Sequence, residues 1–282
     1  MRRLIVNADD FGLCAGSVDG ILRGYRRGIV TSTSLMAGMP AATRAAAAAR
    51  ACPALDVGVH LTFTEGLPVL PAADVASLLD ARGRFLSSRA WLVSGWRPDP
   101  AELEAELRAQ IGRCVSWGLA PSHLDLHTSA GYLLEGVFAL TVRLAAEHGL
   151  AIRFPFGDGW ERMGHAVAAA TGLSLERLGM VVDGFRKLTA ASGVPHPDRM
   201  VDAFASRSAC TGESLARLVA GLGEGTSEIL AHPASLRGSL RALGIAAAKR
   251  AAELAALCSP AVRQAVRDGG IELVSFRSLI AR

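Results

Sequence analysis

No two cysteines in this chain stand at Cys-x-x-Cys spacing, and the five present (Cys14, Cys52, Cys114, Cys210, Cys258) lie far apart. An odd, dispersed set reads as reduced thiols rather than a disulfide framework, and the expectation is a cytoplasmic protein. No apolar run is long enough to span a bilayer, since the Ala-rich stretch at 41–51 is interrupted by arginines. After Arg2-Arg3 only Leu4-Ile5-Val6 precede Asn7, too short for the apolar region of a signal peptide. A basic block is also missing. The net charge of +4 and pI near 9.0 come from residues scattered singly or in pairs such as Arg26-Arg27 and Lys249-Arg250. Diffuse charge of that kind argues against a nucleic-acid partner. No shift in composition marks a boundary, so the 282 residues are read as one domain, a length routine for an α/β barrel.

Short β-branched or apolar runs alternate with longer helical patterns. Leu4–Asn7, Ile29–Leu35, Leu55–Leu61, Ser122–Leu126, Leu150–Phe154, Met180–Val182, Glu228–Ala231 and Glu272–Ser275 read as strands. Between them, 100–117 is the clearest helix. Asp99 caps it, Pro100 takes its first position, Glu102 completes a capping box, and Leu103, Leu107, Ile111 and Cys114 line one face. Further helices are predicted around 134–148, 213–221 and 240–256. Seven or eight strand–helix units with near-continuously apolar strands predict a parallel sheet covered by helices, closed or distorted into a (β/α) TIM-like barrel. The segment 66–99 is rich in Gly, Pro and Ser and long for a connection, which predicts a lid or substrate-binding loop.

The chemistry gathers at strand ends, where parallel α/β folds assemble their sites. The first strand runs into Asp9-Asp10, the third carries His60, the fourth His123-Leu124-Asp125-Leu126-His127, and later strands end at Arg153 and His232. Two adjacent carboxylates at the end of a buried strand repel each other unless a cation or proton sits between them. One can ligate a metal while the other serves as a general base; the plainer alternative is a helix N-cap beside a solvated acid. In the His-x-Asp-x-His run, period two puts all three polar side chains on one face. Two imidazoles and a carboxylate suit zinc or a similar divalent ion, whereas magnesium prefers more oxygen ligands. His148, His165 and His196 read as surface residues.

The strings Asn7-Ala8-Asp9-Asp10-Phe11-Gly12, Gly58-Val59-His60-Leu61 and His123–His127, with Gly28–Ser34 and Ala231-His232-Pro233, resemble the YdjC/ChbG-type carbohydrate deacetylases, a family that includes hopanoid-biosynthesis deacetylases. The similarity spans roughly residues 1–235. It implies a distorted (β/α) barrel, a divalent metal, de-N-acetylation of small acetylated glycans such as chitooligosaccharides, and a homodimer. It also implies Asp10, His60 and His127 as metal ligands, Asp9 as general base and His232 as general acid, and brings magnesium in beside zinc. One departure concerns the pocket wall. Relatives follow the His-x-Asp-x-His string with further histidines, whereas here Thr128-Ser129-Ala130-Gly131-Tyr132 follows His127.

In that scheme Arg153 orients Asp9 or stabilises the oxyanion, unless it forms only a surface ion pair. Trp91, Trp96 and Trp160 are candidates for stacking on a sugar ring, with core packing the alternative. His123 and Asp125 are candidates for substrate contact or for support of the ligands. Three other functions stay open: the same chemistry on a glycolipid or antibiotic amino sugar, a different metal-dependent amidohydrolase, and a non-catalytic metal- or sugar-binding barrel. The amidohydrolases typically carry a His-x-His pair on their first strand, where this chain has Asp9-Asp10.

Overall fold

In the computed structural model the described residues are 1–93, 98–128, 132, 136–154, 164–165, 168, 172, 174–201, 203–204, 211–236 and 246–280. The strands are β1 (Arg2–Phe11), β2 (Ser32–Leu35), β3 (Asp56–Leu61), β4 (His123–Leu126), β5 (Ala151–Ile152), β6 (Arg199–Val201), β7 (Gly225–Ala231) and β8 (Glu272–Val274). Around them lie α1 (Ala15–Arg27), α2 (Ala42–Arg50), α3 (Ser88–Val93), α4 (Pro100–Ser116) and α5 (Val137–His148). The helices continue with α6 (Leu175–Ser192), α7 (Gly212–Ala220), α8 (Ala246–Leu257), α9 (Pro260–Asp268) and α10 (Arg277–Ile280). No helix among the described residues is long and apolar enough to cross a membrane.

Every side chain of β1 from Leu4 to Phe11 is buried, the mark of a strand covered on both faces. All pairings are parallel, in the order β5-β4-β3-β2-β1-β7-β6, and β8 pairs with the first half of β1. The two outer strands approach each other: Ile152 N donates to Pro195 O, just before β6, at 2.9 Å. The expected distorted (β/α) barrel is therefore the fold. Its core is built from alternate strand residues such as Leu4, Val6, Val59, Leu124 and Ile229, all fully buried, each contributing roughly 1.5–3 kcal/mol by leaving water.

The end of the barrel remote from Asp9-Asp10 is sealed by the chain's last segment. Phe276, just after β8, stacks on His123 with ring centroids 3.8 Å apart. Gly58 makes room for that ring, because a Cβ there would lie 2.4 Å from the imidazole. Arg277 then ties down to Asp56 through its backbone N–H and guanidinium.

Three local expectations change. Met180–Val182 lies inside α6, where Ser174 caps an 18-residue helix that overrides a three-residue β-like run. A short strand at Arg199–Val201 takes its place in the sheet. Asp99 does cap α4, accepting from Ala101 N and Glu102 N, but Glu102 turns away to accept from Ser77 N at 2.7 Å.

The expected lid segment is held against α4 along its first part. The buried Glu106 accepts from Val69 N and Leu70 N, and Arg113 donates to Val69 O at 2.9 Å. Burial pushes the Glu106 carboxyl up despite those bonds and one from Gln110.

Candidate active site

Regular strand geometry would send adjacent side chains to opposite faces. Asp9 and Asp10 escape that rule because Asp10 has φ 68° and the register of β1 against β2 shifts between Ala8 and Phe11. A left-handed backbone at a residue other than glycine is strained and concentrates at functional sites. The result is that Asp9 Oδ2 and Asp10 Oδ1 approach the same atom, His60 Nε2, at 3.8 and 3.4 Å. Asp10 Oδ1 is also 3.0 Å from His127 Nδ1.

Each imidazole is held from behind. His60 Nδ1 donates to Asp125 Oδ1 at 2.8 Å, with Ser34 Oγ 3.2 Å away, and His127 Nε2 pairs with Glu65 Oε2 at 2.8 Å. The opposite nitrogens, His60 Nε2 and His127 Nδ1, are buried without an aligned hydrogen bond, as are both oxygens of Asp10. Carboxylate-backed imidazoles that turn their free nitrogens to one carboxylate are what a divalent ion requires. Asp10, His60 and His127 offer three ligand atoms within 4.8 Å of one another, so these residues fit a metal.

The electrostatics of the cluster favour positive charge between these groups. Burial disfavours charge on His60, but Asp125, Asp9 and Asp10 outweigh it and raise the imidazole to about 10. His127 is raised to about 9 against the same burial, by Asp10 and Glu65. Asp10 sits well below the usual carboxylate range despite its burial, because the two imidazoles favour its anion.

Arg153, 3% exposed, lies behind Asp9 rather than at the surface. It donates to both Asp9 oxygens at 2.7 Å, to Glu228 Oε1 at 2.8 Å, and lies 2.9 Å from Asp125 Oδ2. Arg153 is thus buried rather than part of a surface ion pair, and its three nitrogens all face carboxylates. Asn7 Nδ2 adds a bond to Asp9 Oδ1 at 2.8 Å. Glu228, buried beside Arg153, is pushed up to about 7 by burial.

His232 leaves β7 level with Asp9, since Ala231 pairs with Ala8. Its side chain is 34% exposed and its Nδ1 lies 3.9 Å from the buried Glu253. His123, by contrast, does not join the cluster; burial lowers it to about 4 and it serves the seal with Phe276. Trp91 is fully buried, donates Nε1 to Phe63 O at 3.3 Å and meets the Phe63 ring edge-on, a core position with no face open to a sugar. Trp96 and Trp160 lie outside the described residues. His148 and His165 are exposed, while His196 is half-buried against Phe154.

Sequence reasoning missed Glu65, Glu228, Arg250 and Glu253. Glu228 carried a readable signal, the one ionisable residue in its strand, just before the apolar Ile229-Leu230-Ala231. Arg250 did not: it comes from a helix 240 residues away and places Nη2 2.6 Å from Asp10 Oδ2.

Comparison with known proteins finds a family model described as YdjC-like protein matching residues 3–268. A protein of Brevibacillus brevis named carbohydrate deacetylase is 34% identical over 279 residues, covering 98% of this chain and 99% of its own. Another of that name, from Geobacillus stearothermophilus, is 32% identical over 280 residues, covering 98% of this chain and 97% of its own. A crystal structure from Enterococcus faecalis, of a candidate cellobiose-phosphate cleavage protein, superposes with TM-score 0.81 at 28% identity over 99% of this chain and 98% of its own.

Proposed function

The chain belongs to the YdjC-like protein family, and from that premise we propose that it is a metal-dependent hydrolase that removes the N-acetyl group from an acetylated amino sugar. The observation that carries this reading is the convergence of Asp9 and Asp10 on His60 Nε2, with only Asp10 also facing His127. One carboxylate is left to bind an ion and its neighbour to work as a base. Relatives named carbohydrate deacetylase, similar along their whole length, supply the sugar.

Asp10, His60 and His127 would hold zinc or magnesium, and the nitrogen-rich donor set favours zinc. When bound, such an ion polarises a carbonyl and acidifies water. The remaining tasks fall to side chains. Asp9, held by Arg153 and Asn7, takes a proton from the attacking water as its oxygen bonds to the acetyl carbon. His232 gives a proton to the amine nitrogen as the C–N bond breaks, leaving acetate and the free amino sugar. Each acid–base role is typically worth about 10²–10⁴-fold in rate.

A second reading keeps the chemistry and changes the substrate. A pocket of about 500 Å³ lined by Leu13, Met39, Pro40 and Leu67 shares Glu65 with the cluster. Its apolar wall favours an acetylated amino sugar that carries an apolar group, as in a glycolipid.

The test is acetate release from metal-stripped protein, before and after zinc or magnesium is restored. The panel includes chitobiose, chitotriose and an acetylated amino-sugar glycolipid. Metal-dependent release from the oligosaccharides is the expected result, and release from the glycolipid alone selects the second reading. No release despite stoichiometric metal overturns the deacetylase and leaves a binding barrel.

A further inference from the structure

The helix α8 is fastened to the strand end that carries His232. Glu253 accepts the His232 backbone N–H at 2.5 Å, and Arg250 O accepts that of Ala234 at 3.2 Å. From the other flank α1 presses on the same segment: a Cβ on Gly20 would lie 2.5 Å from Ala234 Cα, and Ser235 N donates to Gly16 O at 2.9 Å. Arg250 is therefore anchored in register with His232.

Its guanidinium divides the Asp10 carboxylate between two tasks. Oδ1 faces His60 and His127, while Oδ2 lies 2.6 Å from Arg250 Nη2. The other terminal nitrogen, Nη1, is buried and has no hydrogen-bond partner among the described residues. A buried charged donor without an acceptor is costly, and such a group signals an atom that arrives with a ligand. Arg153 is placed otherwise: it is 3% exposed behind Asp9, and each of its three nitrogens faces a carboxylate of Asp9, Asp125 or Glu228.

We propose that Arg250 is a catalytic residue that binds the oxygen of the scissile acetyl group through Nη1. The inference rests on the deacetylase reading. As the water oxygen bonds to the acetyl carbon, the water's proton passes to Asp9 and the carbonyl π pair moves onto the acetyl oxygen, where the guanidinium meets the negative charge. Arginine suits the position because its planar fork serves Asp10 with one nitrogen and the substrate with another, which a single ammonium does not reproduce.

The test uses metal-loaded wild-type protein, Arg250→Met and Arg250→Lys, with three readouts: metal stoichiometry, acetate release, and affinity for methylphosphonate, a tetrahedral anion shaped like the hydrated acetyl group. The expected result is full metal occupancy in all three. Arg250→Met should lose about 10²–10³-fold in kcat and bind methylphosphonate at least ~10-fold more weakly, and Arg250→Lys should recover part of each. Wild-type kcat and methylphosphonate affinity in Arg250→Met would overturn the inference and leave the deacetylase standing. Loss of metal from Arg250→Met would also overturn it, assigning Arg250 to the positioning of Asp10. Wild-type protein that neither releases acetate nor binds methylphosphonate would overturn the deacetylase reading, and the inference with it.

Discussion

Arg153 grips both oxygens of Asp9, Nη1 and Nη2 each 2.7 Å away. Through Nη1 it also lies 2.9 Å from Asp125, which in turn holds His60 Nδ1. The proposed base, Asp9, and one proposed metal ligand, His60, therefore depend on a single buried guanidinium. Lysine keeps the charge but not the fork. Arg153→Lys should keep the metal while lowering kcat about 10–100-fold. Arg153→Met leaves buried carboxylates uncompensated and should cost about 3–5 kcal/mol of stability. Acetate-release kinetics and urea unfolding separate the two effects.

Adjacent carboxylates with different partners should fail differently. Asp9→Asn should lower kcat by about 10²–10⁴-fold or more while metal still binds, because the side chain keeps its shape and loses its basicity. Asp10→Asn should lose the metal. Calorimetric titration with zinc, run beside activity assays, reads both losses, and full activity in Asp9→Asn would remove Asp9 from the scheme.

The carboxylates behind the imidazoles predict a graded pair. Asp125 is fully buried and Glu65 is 52% exposed, yet each stands 2.8 Å from one of the imidazoles proposed as ligands, His60 and His127. Asp125→Asn should weaken metal binding by about 10–100-fold. Glu65→Gln should cost less, since water can replace an exposed partner. Equal losses would show that exposure does not set the effect.

The cluster of Asp10, His60 and His127 proposed as ligands was legible because parallel strands deliver their ends to one rim, so the three could be placed together from strand periodicity and a family resemblance. The seal was not. His123 shares the face of Asp125 in the strand pattern, but its partner Phe276 comes from the last segment of the chain, and no local spacing announces a contact across 153 residues. Met180–Val182 misled for a related reason: a three-residue apolar run carries no period, and the 18-residue helix around it decides. Arg250 and Glu253, three apart on an Ala-rich helix, look like a solvated face until the fold lays that helix against His232.

The seal itself predicts an acid-sensitive stability. His123 is fully buried, stacked on Phe276, with Nδ1 3.0 Å from Ser122 Oγ. Burial holds it neutral and lowers it from the ordinary 6.5 to about 4, against the opposing pull of Asp125 and Asp56. Between those values the unfolded chain binds a proton that the folded chain refuses. The contribution is therefore fully present above pH 6.5 and is lost as pH falls towards 4. Between pH 7.5 and 5 the linkage amounts to about 2 kcal/mol. His123→Phe keeps a ring between Gly58 and Phe276 but has no proton to bind. Wild-type protein should thus lose about 2 kcal/mol more than His123→Phe over that interval in urea unfolding, other titrating groups being common to both. Equal losses would mean that His123 takes up its proton inside the folded barrel, and the seal would then have to accommodate a charge beside Phe276.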